Sequence, residues 1–364
     1  MENMIKNFRI DSFRSLSSVG LDDLKRVNLF VGRNGAGKTS ILEAVYLLFS
    51  EARFESLVGI AERRGEFDKT DDGVQWLPSI RHFFAGHFLP QNCEGVRLKA
   101  GDMRLSIDVC IENRPAKNDY RVVLPTPMCH VTHAGFNGDG VGKLSFPISK
   151  SGALEFNRAG DGGYNRLTSP EDVPTVFVSP DGVEPAALLR MRDDVISRGA
   201  ECDLVKVLKQ LNPDVESVGF LSSADKNYKF LANGTLVGLA GTRDRVPVKT
   251  LGDGIRRLLV IAMGMVCAKN GVLILDEIDS GLHYSAMQSL WTFIVKAAEA
   301  NNVQVFASTH SIDCLRGLAS VCGDDQSTAD DVRLYSLSNI GKRVVCYTGH
   351  EVSVAMNREI EVRA

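Results

Sequence analysis

No window of the 364-residue chain holds the roughly 20 consecutive apolar residues that a membrane helix needs, which excludes a helical membrane protein. The opening "MENMIKNFRI" lacks the charged-then-apolar layout of a signal peptide. Charge of one sign is also lacking. Against 42 Lys and Arg stand 45 Asp and Glu, a formal net charge of -3, so there is no global field for nucleic acid and only a local basic patch remains. The eight cysteines are scattered without a C-x-x-C pair, the usage expected of reduced structural thiols. There is no internal repeat, low-complexity tract or sustained heptad pattern. These absences lead to the expectation of a cytoplasmic protein with no membrane partner.

What is present is ordinary in bulk and specific in detail. With 44% hydrophobic and 24% charged residues, the chain can bury one large α/β domain or two ordinary ones. An extended stretch, "KNFRIDSFRSL", is followed by "RVNLFVG", an apolar run stopping at Gly32 that predicts a buried strand entering a loop. Ile41, Leu42, Val45, Leu48 and Phe49 then recur at helical spacing. Residues 51–173 carry many Gly, Asn and Asp with short runs such as "RLSIDVCI" and "YRVVLP". They predict a β-rich insertion with a turn-forming tip, "HAGFNGDGVGKL". Residues 174–250 begin with "VPTVFVSP", a return to a core strand, and continue in helical periodicity to about residue 216. Over 251–364 helices alternate with the strands "GVLILDE" and "VQVFAST", and "VRLYSL" and "RVVCYT" predict a terminal hairpin or edge pair. The expected fold is α/β: a mainly parallel sheet flanked by helices, with the core split between residues 1–50 and 251–364.

Gly32 to Thr39 fits G-x-x-x-x-G-K-[ST] at every fixed position. Glycines let successive backbone N–H groups face phosphates, and the following helix adds its positive end. The predicted binding set is Asn34, Gly35, Ala36, Gly37, Lys38, Thr39 and Ser40. Within it Lys38 reaches the β- and γ-phosphates and Thr39 places its hydroxyl on Mg²⁺. A chance Gly-rich turn would lack the flanking strand and helix.

"VLILDE" ends a strand in two acids, at the side of an open α/β sheet where ligands sit. Asp276 suits Mg²⁺, and Glu277 suits the polarisation of an attacking water. In "VFASTHS", His310 follows the next apolar strand, where it can sense a γ-phosphate. The cofactors expected are therefore ATP and Mg²⁺, with Glu277, His310 and Lys38 as catalytic residues.

These segments, with "NFRIDSFRSL", "LGDGIRRLL", "DSGLH" and the tail "NREIEVR", resemble the ABC-type P-loop ATPase core. Within it the likeness is to the RecF, SMC and OLD-like branch of AAA-family ATP-binding proteins. The resemblance spans about residues 1–50 and 250–364. It implies that two heads sandwich ATP, with Gly252, Asp253 and Gly254 acting on the other subunit's nucleotide. The usual transporter pattern has Ser at the place of Gly252 and Gly at the place of Asp253. The first change removes a phosphate donor, the second adds an acid, and Arg256 or Arg257 is left to supply a positive contact. Arg14 is expected near the nucleotide, and Asp279 in a loop that touches the partner subunit. No Gln in 174–190 fills the usual Mg²⁺-sensing place, for which Ser179 and Asp181 are nearby candidates.

Cys129, His130 and His133, like His82 and His87, lack the four-ligand spacing of a zinc site and read as scattered polar residues. Only about 50 residues follow His310, too few for the nuclease domain that OLD-like proteins append, so the chain is not expected to cut nucleic acid itself. The expected function is an ATP-driven switch that dimerises and controls a separate effector, a nuclease or toxin, as in anti-phage defence. The alternative is a RecF- or SMC-like clamp whose hold on DNA is gated by ATP. The altered "LGDGI" and the insertion argue against a transporter subunit.

Overall fold

A computed structural model of the chain describes residues 4–90, 95–116, 119–135, 141–154, 173–183, 185–211, 213–220, 235–338 and 343–363. Its centre is a six-stranded sheet in the order Thr175–Val178, Val272–Leu275, Gln304–Thr309, Val27–Val31, Val332–Ser338 and Arg343–Thr348. The first five strands run parallel, and the last pairs antiparallel with its neighbour. The strands Val27–Val31, Val272–Leu275 and Gln304–Thr309 are buried at every position, as expected of parallel strands covered on both faces. Alternate residues feed two cores. Leu29, Leu273 and Val305 face the helices Asp253–Cys267, Met287–Ala300 and Ile312–Asp324, whereas Phe30, Ile274 and Phe306 face the helix Lys38–Phe49. Phe30 stacks between Phe306 and Tyr335, at 6.5 and 5.4 Å between ring centroids.

A second six-stranded sheet is antiparallel, in the order Leu16–Leu21, Phe8–Phe13, Val96–Ala100, Met103–Ala116, Asp119–Ala134 and Val141–Pro147. The opening "KNFRIDSFRSL" thus makes a hairpin that joins the β-rich segment in one sheet. The core of this sheet, with Phe8, Ile10, Leu98 and Leu105, is continuous with that of the helix Lys38–Phe49. Residues 136–140 of the expected turn-forming tip lie outside the described residues.

The segment expected to be β-rich begins instead with a helix, Phe54–Arg64, which ends at Gly65 with φ 65°. Its Leu57, Ile60 and Ala61 are buried at helical spacing. The helices Pro185–Ser197 and Glu201–Leu211 follow the core strand as expected, and a small three-stranded sheet spanning 215–247 follows them. Six described cysteines are free, but Cys110 is disulfide-bonded, which corrects the expectation of reduced thiols throughout. Among the described residues no helix is long and apolar enough to cross a membrane.

Candidate functional site

Residues 32–37 turn between the strand Val27–Val31 and the helix Lys38–Phe49. Gly37 stands at φ 98°, and a Cβ there would come within 2.8 Å of the Leu16 side chain. Gly32, at φ 148°, would press a Cβ against the carbonyl oxygen of Leu337 at 2.6 Å. Both positions therefore require glycine. Arg33, Asn34 and Gly35 are exposed at the top of the loop, and the Lys38 ammonium folds back to donate to the carbonyls of Gly32 at 2.8 Å and Arg33 at 3.1 Å. Burial lowers the Lys38 pKa, against the opposing pull of Glu277, Asp276 and Asp279. A phosphate would give this ammonium a stronger partner than two neutral carbonyls.

Asp276 leaves the end of Val272–Leu275 two strands away from the loop, and the Thr39 hydroxyl reaches it at 3.2 Å. The Ser308 hydroxyl, from the strand between them, donates to the same carboxylate oxygen at 2.5 Å and accepts the Glu277 N–H at 2.9 Å. Thr39 and Asp276 are two hard oxygen donors already in contact, and they fit Mg²⁺. Glu277 adopts φ 44°, a left-handed conformation that costs a non-glycine residue energy, and this turns its carboxylate out of the strand. His310 Nδ1 stands 3.7 Å from Glu277 Oε1, with both side chains partly open to solvent. Thr309 donates to Asp279 at 2.5 Å, so the loop after Glu277 is tied to the end of the next strand.

Three arginines stand out. Arg14, expected near the nucleotide, is bound by two acids. Its buried guanidinium donates to Glu43 at 2.8 Å, to Glu66 at 2.6 and 3.1 Å and to the His82 carbonyl at 3.2 Å. Burial makes those carboxylates its obligatory partners. Arg257 is also turned inward, so it offers no contact to a partner's phosphate. It donates to the carbonyls of Ser179 at 2.5 Å, Asp276 at 3.0 Å and Glu277 at 3.3 Å, gripping the backbone around Glu277. Burial lowers its pKa, opposed by Asp276, Asp279 and Glu277. Arg63, which the sequence did not single out, lines a cavity next to Thr39 and Asp276.

Gly252 and Arg256 are exposed at the start of the helix Asp253–Cys267, and the Asp253 side chain lies outside the described residues. Ser179 donates to the Gly182 carbonyl at 2.6 Å, and Asp181 is exposed on the same turn. The imidazoles set aside as zinc ligands bond elsewhere. His130 meets Ser145 at 2.8 Å and Glu112 at 3.0 Å, His133 faces Glu51 at 3.5 Å, and His82 meets His87 at 3.1 Å.

Residues 4–120 match the family model described as "AAA ATPase domain", and residues 187–315 match that described as "AAA domain, putative AbiEii toxin, Type IV TA system". The first stretch contains the phosphate loop; the second contains Asp276, Glu277 and His310. Over 94% of both chains, the sequence is 21% identical to an ATP/GTP phosphatase of Helicobacter pylori. It is 42% identical over 52 residues to the DNA replication and repair protein RecF of Francisella tularensis subsp. novicida, a stretch of 14% of this chain and 15% of that one. Among solved structures, an SMC head bound to the C-winged helix domain of ScpA aligns over 97% of this chain and 99% of its own, with 14% identity and a TM-score of 0.49. The SMC head domain from Thermotoga maritima aligns over 94% and 98%, with 12% identity and a TM-score of 0.41.

Proposed function

We propose that the chain is an ABC-type ATPase that works as a switch: two copies close around ATP, hydrolysis reopens them, and a partner effector reads the change. The placement of Gly252–Gly254 carries this reading. Gly252 stands at φ 92° with open space where a Cβ would point, and so does Gly281, at φ 74° in the turn after Asp279. A Cβ on Gly254 would lie 3.7 Å from the Gly281 carbonyl oxygen. The two segments assigned to the other subunit's nucleotide are therefore neighbours, and bare backbone is presented where a second copy's phosphates would dock.

Within one chain, the loop amides and the start of the helix Lys38–Phe49 receive the phosphates, and Lys38 exchanges two carbonyls for the β/γ-oxygens. Thr39 and Asp276 hold Mg²⁺, which compensates phosphate charge when bound. Glu277 polarises water for attack on the γ-phosphorus, and His310 beside it contacts the same phosphate. ADP and phosphate are the products.

Mixing two inactive variants tests the arrangement. Lys38→Ala removes the cis contact and Gly254→Leu blocks the trans surface, so each alone is dead. Mixed pairs contain one intact composite site, and ATP hydrolysis returns; a mixture that stays dead refutes the trans arrangement. Control of an effector is supported by the match to a domain described with a toxin of a Type IV TA system. It predicts a second polypeptide that copurifies from the native host with Glu277→Gln protein in ATP and not with Lys38→Ala. A second reading, ATP-gated DNA holding, is favoured by the RecF match. ATP-dependent DNA binding that weakens steeply with salt would select it.

A further inference from the structure

Beside Thr39 and Asp276 lies a cavity of about 450 Å³, within the size range of small-ligand sites. Its walls come from the helices Lys38–Phe49 and Phe54–Arg64 and from the turn that follows the strand Thr175–Val178. Two guanidiniums, those of Arg63 and Arg64, line it, and only Arg64 is matched by an acid. Glu43 accepts from Arg14 at 2.8 Å and from Arg64 at 2.8 and 3.2 Å, and Glu66 accepts from Arg14. Arg63 donates no hydrogen bond among the described residues. Its guanidinium instead rests 4.3 Å over the Phe177 ring and 5.4 Å over the Tyr46 ring. Ring contacts of this kind use none of its N–H groups in hydrogen bonds, so the N–H fork stays available to two oxygens of one anion. Arg63 is exposed on the cavity wall, which leaves its positive charge open to an incoming anion. The wall acids do not cancel it. Glu43 is spent on two arginines, Asp276 faces the metal position, and Asp181 is exposed to water.

We propose that this cavity is an oxyanion site, separate from the phosphate loop, that takes the phosphate split from the nucleotide, with Arg63 as the receiving group. This rests on the assignment of Thr39 and Asp276 to the metal. In hydrolysis the water oxygen bonds to the γ-phosphorus, one water proton passes to Glu277 and on to solvent while the other stays on the phosphate, the bond from that phosphorus to the β,γ-bridging oxygen breaks, and ADP keeps the bridging oxygen and its electron pair on the loop. A phosphate leaving on the metal's side enters the cavity without crossing the loop and exchanges one set of cationic partners for another.

Calorimetric titration of inorganic phosphate into nucleotide-free protein tests the site. Wild type and Lys38→Ala bind phosphate equally, although Lys38→Ala has lost MgADP. Arg63→Gln binds it about tenfold or more weakly, the loss expected for a charge-assisted pair of hydrogen bonds. Phe177→Leu, which removes the stacking platform, weakens it as well. Retained MgADP binding by both cavity variants shows that they are folded. Failure of wild type to bind phosphate overturns the proposal. So does a phosphate affinity that falls with Lys38→Ala and not with Arg63→Gln, because the anion then sits on the loop. Failure of the nucleotide assignment reads out separately, as absence of MgADP binding in wild type.

Discussion

Replacing Arg257 by Met should separate catalysis from nucleotide binding. The guanidinium is buried, and its two terminal nitrogens hold the carbonyls of Ser179, Asp276 and Glu277 at 2.5, 3.0 and 3.3 Å. Met fills most of the volume and donates nothing. Each carbonyl left without a donor costs about 1–3 kcal/mol, but all three share one side chain and Met also removes a buried charge, so a net loss of about 2–4 kcal/mol is expected. The catalytic consequence is local. Glu277 sits at φ 44°, and its peptide environment is held from two sides: the Ser308 hydroxyl takes its N–H and Arg257 takes its carbonyl. Freed from one side, the residue relaxes toward ordinary backbone angles and its carboxylate leaves the attack position. A fall in kcat of about 10–100-fold follows, with KM for ATP little changed, because the loop and Lys38 are untouched. Arg257→Lys keeps the charge but cannot span three carbonyls, and falls between. Steady-state hydrolysis and urea unfolding measure the two effects. A kcat near that of wild type in a variant destabilised as expected would refute the idea that this clamp poises Glu277.

Glu43→Gln removes the charge shared by Arg14 and Arg64. Because Glu43 and Arg14 are buried to 2% and 6% side-chain exposure, unfolding in urea should show a loss of about 3 kcal/mol; an unchanged midpoint contradicts the assigned network. Ser308→Ala deletes the hydroxyl that orients Asp276, so the Mg²⁺ concentration supporting half-maximal hydrolysis should rise about tenfold or more, while an unchanged Mg²⁺ requirement contradicts this role. Burial pushes the thiols of Cys129, Cys267, Cys314 and Cys322 up from 9.0 to about 12. Between those values the folded chain binds more protons than the unfolded one, so stability falls as pH rises, by about 1.4 kcal/mol per pH unit for each thiol. Urea midpoints should therefore drop between pH 9 and 10, and a flat profile would show the thiols to be hydrated.

The strand, loop and helix around residues 32–39 and the strand ending on Asp276 and Glu277 were legible because their pattern is local. A buried five-residue strand, a Gly-rich turn and an amphipathic helix follow in order, and "VLILDE" ends its strand on the acids. The parallel strands showed as mostly apolar runs for the same reason. The partners of Arg14, Glu43 and Glu66, lie 29 and 52 residues along the chain, and no local pattern pairs them with it. Arg257 carried a weak signal: in "GIRRLLVIA" it lies four residues before Ile261 on the buried stripe, whereas Arg256 falls on the open face. The helix bearing Arg63 was hidden by its Gly- and Asp-rich surroundings, although Leu57, Ile60 and Ala61 mark its buried face. Sheet membership of the first hairpin depends on Phe8–Phe13 meeting Val96–Ala100, a pairing set by a shared core and not by any turn.

The native mass of Glu277→Gln protein in ATP and Mg²⁺ tests the central claim most directly. Closure around uncleaved ATP predicts two copies of the chain, reverting to one when ATP is omitted or Lys38 is also replaced by Ala. A single copy at saturating ATP would contradict the sandwich, and with it the switch.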